Sequence, residues 1–497
     1  MTAPMDRREF VKTVGLGAAA LALPLATRAA GARKPNIIYI LADDLGLAEV
    51  GCYGQKKIRT PHIDRLAAEG MRFTAHYSGS PVCAPSRCAL LTGLHTGHAY
   101  IRDNDEMGFR GDVWHDLSLE GQRPLEAGTA TLATVLKGAG YATGAIGKWG
   151  LGGPGSTGEP SRMGFDHFFG FLCQRVAHSH YPSYLWRNRE KVMLDNEYVY
   201  PHEKLPAGAD PNDPKSYARY IGTQYAGDLM ADEALGFIRQ HREQPFFLYL
   251  ALTAPHMALQ VPEDSLAEYL GQFPETPYTG AKDYLPHRAP RAAYAAMVTR
   301  MDSHIGRVTA LVKELGLDND TIVMFASDNG PTFNGGTDSK FFESAGALRG
   351  LKQDVYEGGI RVPFVARWPG HVPKGATSAH PSAFWDVMPT FAELAGAKAP
   401  KGTDGISLVP ALTGKASSQK AHDYLYWEFE GHQAVRMGAW KAVRLKNAKA
   451  TELYDLAADS SEQTNVAAAH PDRVARAETI FRTGRTESAL FPLGRTK

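Results

Sequence analysis

Asn36-Ile-Ile-Tyr-Ile-Leu-Ala42 is an unbroken apolar run rich in β-branched residues. That is the pattern of a strand buried on both faces of a parallel sheet. It stops at Asp43-Asp44. Thr60-Pro61 then opens a helix, with Pro61 in the first helical position and Gly70 past its end. The pattern predicts a helix over residues 131–136 and a strand over 141–146, running into Gly147-Lys148-Trp149-Gly150. Residues 151–225 are rich in Gly, Pro, Tyr and His and show no period, which predicts long loops over strand ends. Periodicity returns at Met230, Ala234, Phe237 and Ile238, one face of a helix, before an apolar strand over 245–252 and Ala254-Pro255-His256. Met297, Met301, Ile305, Val308, Val312 and Leu315 recur every three or four residues, and Gly316 is the stop. A strand over 321–326 ends in Ser327-Asp328-Asn329-Gly330. After Pro410 short strand candidates at 424–429, 433–436 and 440–445 precede a closing helix over 471–482.

Strand–helix alternation with polar residues just past strand ends predicts an α/β chain. Its expected form is a large doubly wound mixed sheet flanked by helices, with a small C-terminal antiparallel sheet plus helix. Ligands of such sheets bind at the carboxyl ends of the strands. We place the main α/β domain at 33–415 and the α+β subdomain at 416–497. A net charge of +1 over 497 residues, without a basic run, argues against a nucleic-acid partner. Cys52, Cys83, Cys88 and Cys173 are too few for a disulfide scaffold. Asp6-Arg7-Arg8-Glu9-Phe10-Val11-Lys12 precedes an apolar run over 14–25, and Ala30-Gly31-Ala32 offers a cleavage site. Residues 1–32 therefore read as a twin-arginine export signal. The expected mature chain is periplasmic or secreted, without stable membrane insertion.

Chemistry concentrates in Ser80-Pro-Val-Cys83-Ala-Pro-Ser-Arg87-Cys-Ala-Leu-Leu-Thr-Gly93. Arg87 lies four residues after Cys83, so one helical turn predicts its guanidinium beside the sulfur. Asp43, Asp44, Asp328 and Asn329 form two oxygen-donor pairs, each directly after a core strand. Hard oxygen donors suit Ca²⁺ or Mg²⁺ rather than zinc.

Cys-x-Pro-Ser-Arg followed by Leu-Thr-Gly resembles the signature of the type I, formylglycine-dependent sulfatases of the alkaline phosphatase-like superfamily. So do residues 60–70, Glu452-Leu-Tyr-Asp-Leu456 and Glu462-Gln-Thr-Asn465. The resemblance spans roughly 36–465. It implies that Cys83 is oxidised to formylglycine by a separate formylglycine-generating maturase. It also implies a Ca²⁺ held by Asp43, Asp44, Asp328, Asn329 and the modified Cys83. Arg87 would brace the aldehyde hydrate. Lys148 in Gly-Lys-Trp, His256 in Ala-Pro-His, and Lys352 ahead of Tyr356-Glu-Gly-Gly-Ile-Arg-Val-Pro363 match family cations that would hold a sulfate ester. The hydrate would attack sulfur, the alcohol would leave protonated by His256 or Lys352, and sulfate would then be expelled with the aldehyde restored. A carbohydrate sulfate is the expected substrate. Two alternatives stand beside it: a phosphate or phosphonate monoester hydrolase of the same superfamily, and a non-catalytic relative that binds sulfated glycans.

One position departs from the family pattern. Gly-Lys-Trp is followed by Gly150 where the family has a histidine that contacts the formylglycine hydroxyl. His178 and His180, in Ala177-His-Ser-His-Tyr-Pro182, are the candidate substitutes and substrate contacts. Tyr181, Tyr184 and Trp186 beside them are candidates for a sugar platform.

Overall fold

The computed structural model describes residues 34–105 and 122–493. The export signal expected over 1–32 lies outside them. Among the described residues, no helix is long and apolar enough to cross a membrane.

The apolar run Asn36–Ala42 is a strand buried along its whole length, and it lies inside a ten-stranded sheet. From one edge the order is Ala376–Ser378, Met71–Phe73, Phe364–Arg367, Thr321–Ser327, Asn36–Ala42, Phe246–Ala251, Ala142–Lys148, His167–Phe171, Tyr184–Arg187 and Glu190–Met193. The strands from Thr321–Ser327 to His167–Phe171 are mutually parallel, and antiparallel pairings join the outer strands on either side. Parallel neighbours in register end together: Ala42 pairs with Ser327, and Leu41 and Gly147 both pair with Ala251. Strands are about 4.8 Å apart. Four consecutive strand ends therefore bring Asp328, Asp43, Lys148 and the His256 turn to one edge, although they are far apart in sequence.

Pro290–Glu314 is the long helix predicted from its spacing, with the Gly316 turn (φ +70°) behind it. Residues 151–225 differ from expectation. They hold three further strands that extend the sheet. His167–Phe171 is interrupted by Gly170, and Glu190–Met193 is exposed at the sheet edge, so neither carries the apolar alternation that would reveal it.

The C-terminal sheet runs Leu425–Phe429, His432–Met437, Trp440–Arg444 and Glu452–Asp455, all antiparallel. Its last strand, only four residues long, was not predicted. One face packs on helix Pro471–Thr483 through Val435, Leu453, Ile480 and Phe481. The other packs Trp427 and Tyr454 against Tyr77, Val82, Tyr356 and Trp385. Trp427 Nε1 donates to the carbonyl of Ser78 at 2.9 Å, so this sheet buttresses the chain that enters the Cys83 helix.

A buried ion cluster reinforces the contact. Lys441 Nζ lies 3.0 Å from Glu357 Oε1 and 2.9 Å from Glu462 Oε1, with all three side chains excluded from solvent. Lys441→Met would strand two buried carboxyl groups. The expected cost is about 3–5 kcal/mol, read from urea unfolding, and a loss below about 1 kcal/mol would show the cluster to be dispensable.

Candidate active site

Cys83 is the first residue of helix Cys83–Thr92 and is 2% exposed. Its Sγ is 3.5 Å from Asp43 Oδ1, 3.9 Å from Asp44 Oδ1 and 3.7 Å from Lys352 Nζ. The predicted site residues thus converge, and Arg87 joins them through the carboxylates. Its hydrogen bonds run from Nε and Nη2 to Asp328 Oδ2 (3.1 and 2.7 Å) and from Nη1 to the carbonyl of Lys148 (2.6 Å). Nη2 is also 3.3 Å from Asp43 Oδ2. The carboxylates outbid the sulfur because a charge-assisted bidentate pair is far stronger than a contact to a thiol.

Asp44 follows its strand with φ +66° and donates its backbone N–H to Asp328 Oδ1 at 3.1 Å. Asn329 Nδ2 donates to Asp44 Oδ1 at 2.8 Å. Lys148 Nζ donates to Asp43 Oδ2 and Lys352 Nζ to Asp44 Oδ2, each at 2.7 Å. His256 Nδ1 lies 2.6 Å from the carbonyl of Met257, so it carries the proton, and Nε2 faces Asp44 Oδ2 at 3.7 Å.

The electrostatics are lopsided. Burial alone would raise the Asp43 carboxyl, but Lys148, His256, Arg87 and Lys352 outweigh it and hold it below the usual range. Asp328 goes the other way, to about 6, through burial and the repulsion of Asp43. Burial lowers both lysines, yet Asp43 for Lys148 and Asp44 for Lys352 reverse that and keep them charged. Burial pushes the Cys83 thiol up despite both lysines. As a thiol, Cys83 is therefore not an activated nucleophile. Burial and Lys148 drop His256 to about 3, leaving it neutral.

Asp43, Asp44, Cys83 and His256 form a buried group whose ligand atoms all lie within 4.8 Å of one another. A cation fits there on two grounds. Asn329 is fully buried, yet its Oδ1 has no hydrogen-bond partner. The donor set around it is carboxylate and amide oxygen, the chemistry of a hard divalent ion.

A cavity of about 200 Å³ opens over Cys83, walled by Lys148, His178, His256, Tyr284 and Lys352. Its other walls are Arg175 and five amides, none of which the sequence revealed: Asn104, Gln122, Gln174, Asn334 and Gln353. No motif marks them, because they come from loops and are brought in only by the fold. His178 stacks on His256 with ring centroids 5.1 Å apart and reaches His202 Nε2 through Nδ1 at 3.1 Å. His180 does not line the cavity. It is buried against Tyr225 and donates from Nε2 to the carbonyl of His256 at 2.8 Å, holding that turn from behind.

Nor do Tyr181, Tyr184 and Trp186 form a platform. They are 7, 2 and 8% exposed: Tyr184 and Trp186 lie on an outer strand of the sheet, with Lys191 Nζ 4.2 Å over the Tyr184 ring, and Tyr181 packs edge-on against Tyr225. Phe333, 44% exposed, stands instead beside the lining residue Asn334. No disulfide joins Cys52, Cys83, Cys88 or Cys173.

Comparison with known proteins agrees with this arrangement. The Sulfatase family model matches residues 35–397, and that for the C-terminal part of N-sulphoglucosamine sulphohydrolase matches 351–478. Human arylsulfatase A is 35% identical over 451 residues, covering 85% of this chain and 77% of its own. The N-acetylgalactosamine-6-O-sulfatase of Bacteroides thetaiotaomicron is 29% identical over 536 residues, covering 91% and 94%. The crystal structure of Ps i-CgsB in complex with k-i-k-neocarrahexaose superposes with a TM-score of 0.71 at 27% identity, covering 91% of this chain and 94% of that one. With a match over most of its length and a cation-rich cavity centred on the motif cysteine, the chain belongs to the sulfatase family and is a sulfuric ester hydrolase.

Proposed function

We propose that the enzyme hydrolyses a carbohydrate sulfate monoester through a formylglycine at position 83 and a Ca²⁺ held by Asp43, Asp44, Asp328 and Asn329. The observation that carries this is the position of Cys83. It is buried in the charged cavity as a thiol whose pKa burial pushes up, its sulfur grouped with the Asp43 and Asp44 carboxylates and the His256 imidazole, and Asn329 adds an unpaired amide oxygen beside Asp44. Once hydrated, formylglycine offers one hydroxyl to attack sulfur and a second through which sulfate is expelled, which a thiol lacks. Ca²⁺, with Mg²⁺ as the alternative, would add positive charge at the sulfate oxygens.

The remaining work belongs to the chain. Lys148 and Lys352 are buried cations fixed by Asp43 and Asp44, so they meet charge developing on the sulfate without reorganising. Arg87 holds Asp43 and Asp328 at one separation and fixes the Lys148 backbone. His256 or Lys352 protonates the departing alcohol. His256 is held with Nδ1–H toward Met257, so Nε2 is the atom that must take up and deliver that proton. A sugar alkoxide is a poor leaving group and needs that proton more than a phenoxide does. We expect His256→Ala to cost about 10²–10⁴-fold in kcat on a sugar sulfate and about tenfold or less on an aryl sulfate. Equal penalties on the two substrates would remove His256 as the acid.

The carbohydrate preference draws support from the relatives named for N-acetylgalactosamine sulfate and from the neocarrahexaose complex. Matched sulfate and phosphate monoesters of one sugar test the reaction class. Faster sulfate release supports the proposal, and faster phosphate release contradicts it. We further propose export by the twin-arginine route, with Arg7-Arg8 and Phe10 as its support. Replacing both arginines by lysine should leave precursor in the cytoplasm, and unchanged export would refute that route.

A further inference from the structure

Gln174 is 6% exposed and lines the cavity, and its Oε1 has no hydrogen-bond partner among the described residues. The direction of this amide is fixed. Ala84 N donates to Asn104 Oδ1 at 2.8 Å, which makes that oxygen an acceptor. The Gln174 atom 3.3 Å from the same oxygen must then be Nε2, the donor end. The carbonyl end is left pointing toward Gly150. A Cβ built on Gly150 would lie 2.7 Å from Gln174 Cγ and 3.1 Å from Oε1. Local pairing brings the two together: Gly150 N donates to the carbonyl of Leu172, and Gln174 N is held by Gln122 Oε1 at 3.1 Å. The room left at Gly150 is therefore filled by an amide tied, through Asn104, to the residue after Cys83.

A buried acceptor without a donor is costly, and a cysteine at position 83 does not relieve it. The thiol is a weak donor, and its contacts are with Asp43, Asp44 and Lys352. Water adding across an aldehyde changes the supply. Its oxygen bonds to Cβ and a proton passes to the former carbonyl oxygen, so one weak S–H is replaced by two O–H donors. We propose that Gln174 Oε1 accepts a hydrogen bond from a hydroxyl of the aldehyde hydrate at position 83, held there by the Gln174–Asn104–Ala84 relay. This rests on the formylglycine reading above. An amide oxygen takes no proton at neutral pH, so Gln174 favours and orients the hydrate while the proton released on expulsion of sulfate goes elsewhere.

The test compares wild type with Gln174→Met, Gln174→Glu and Gly150→Ala. Peptide mass spectrometry first measures the aldehyde at position 83 in each. The rate of oxime formation by the native protein with an aminooxy probe then reports how much free carbonyl escapes hydration. Gln174→Met, which loses the acceptor, is expected to react about five- to tenfold faster than wild type, with kcat lowered by a similar factor and KM within about twofold. Gly150→Ala should act in the same direction by displacing the amide, with added backbone strain at φ +77°, and Gln174→Leu, which also lacks the acceptor, answers the question if the methionine variant does not fold. Gln174→Glu keeps an acceptor but loses the Nε2 donor to Asn104 Oδ1, so it should accelerate oxime formation less than Gln174→Met. A wild-type oxime rate in both Gln174→Met and Gly150→Ala overturns the proposal, as does equal acceleration by Gln174→Glu. Wild-type protein isolated with its maturase but without aldehyde overturns the formylglycine reading instead, and the proposal with it.

Discussion

Cys83→Ala is expected to lower kcat/KM by about 10⁵–10⁶-fold, the scale seen when a covalent nucleophile is deleted. The side chain is small and sits at the first position of its helix, so alanine leaves the local fold in place. Lys148, Lys352, His256 and Arg87 do not depend on the sulfur for position, since their partners are Asp43, Asp44, the Met257 carbonyl and Asp328. The variant should therefore still bind a sulfate ester, with affinity within about tenfold of wild type by calorimetry. Loss of turnover together with binding would separate a missing nucleophile from a damaged pocket. Residual turnover within about 100-fold of wild type would place the nucleophile elsewhere.

Removal of the metal is expected to have the next largest effect. Asp43 and Asp328 lie on either side of one guanidinium, and burial together with the repulsion of Asp43 raises Asp328 to about 6, while Lys148, His256 and Arg87 hold Asp43 down. A divalent ion relieves that repulsion and uses the unpaired Asn329 oxygen. Exhaustive chelation should lower kcat by about 10³-fold or more, comparable to losing a strong electrostatic contact at the reacting group. Added Ca²⁺ should restore it. The same ion binds only the folded chain, so 100-fold excess over its Kd should add about 2.7 kcal/mol to stability. Asn329→Ala should weaken Ca²⁺ binding by about tenfold or more while leaving the fold intact. Full activity after chelation, or an unchanged Ca²⁺ affinity in Asn329→Ala, would contradict the metal assignment.

The chain made its central sheet readable because the inner strands are apolar on both faces. Asn36–Ala42, Phe246–Ala251 and Thr321–Ser327 stand out as unbroken runs, and the residues that follow them form the site. The edge strands were not readable, since Tyr184–Arg187 and Glu190–Met193 are short and partly exposed, and pair only with each other and with the end of His167–Phe171. Within the site, the two oxygen-donor pairs stood out by type and position, and the resemblance to the sulfatases joined Cys83, Lys148, His256 and Lys352 to them as one group; the structure brings these residues together. Sequence could not say where a long side chain ends. Arg87 was expected beside the sulfur, but that its guanidinium ties Asp43 to Asp328 could not be read from its spacing. Tyr181, Tyr184 and Trp186 were expected at the substrate and are instead buried, Tyr181 against Tyr225 and the other two on an outer strand, because aromatic character alone does not distinguish a platform from a core. Gln174 carried no signal of its own. Only the glycine at position 150 hinted that something else fills that space, and the coordinates of a loop 24 residues further on were needed to name it.

The most direct measurement joins the state of position 83 to turnover. Protein made with and without a formylglycine-generating maturase is digested to read position 83 by peptide mass spectrometry, and each preparation is assayed on a sulfated sugar. Catalytic turnover should rise in proportion to the fraction carrying aldehyde and vanish in the all-cysteine preparation. Equal turnover by the all-cysteine protein would contradict the account.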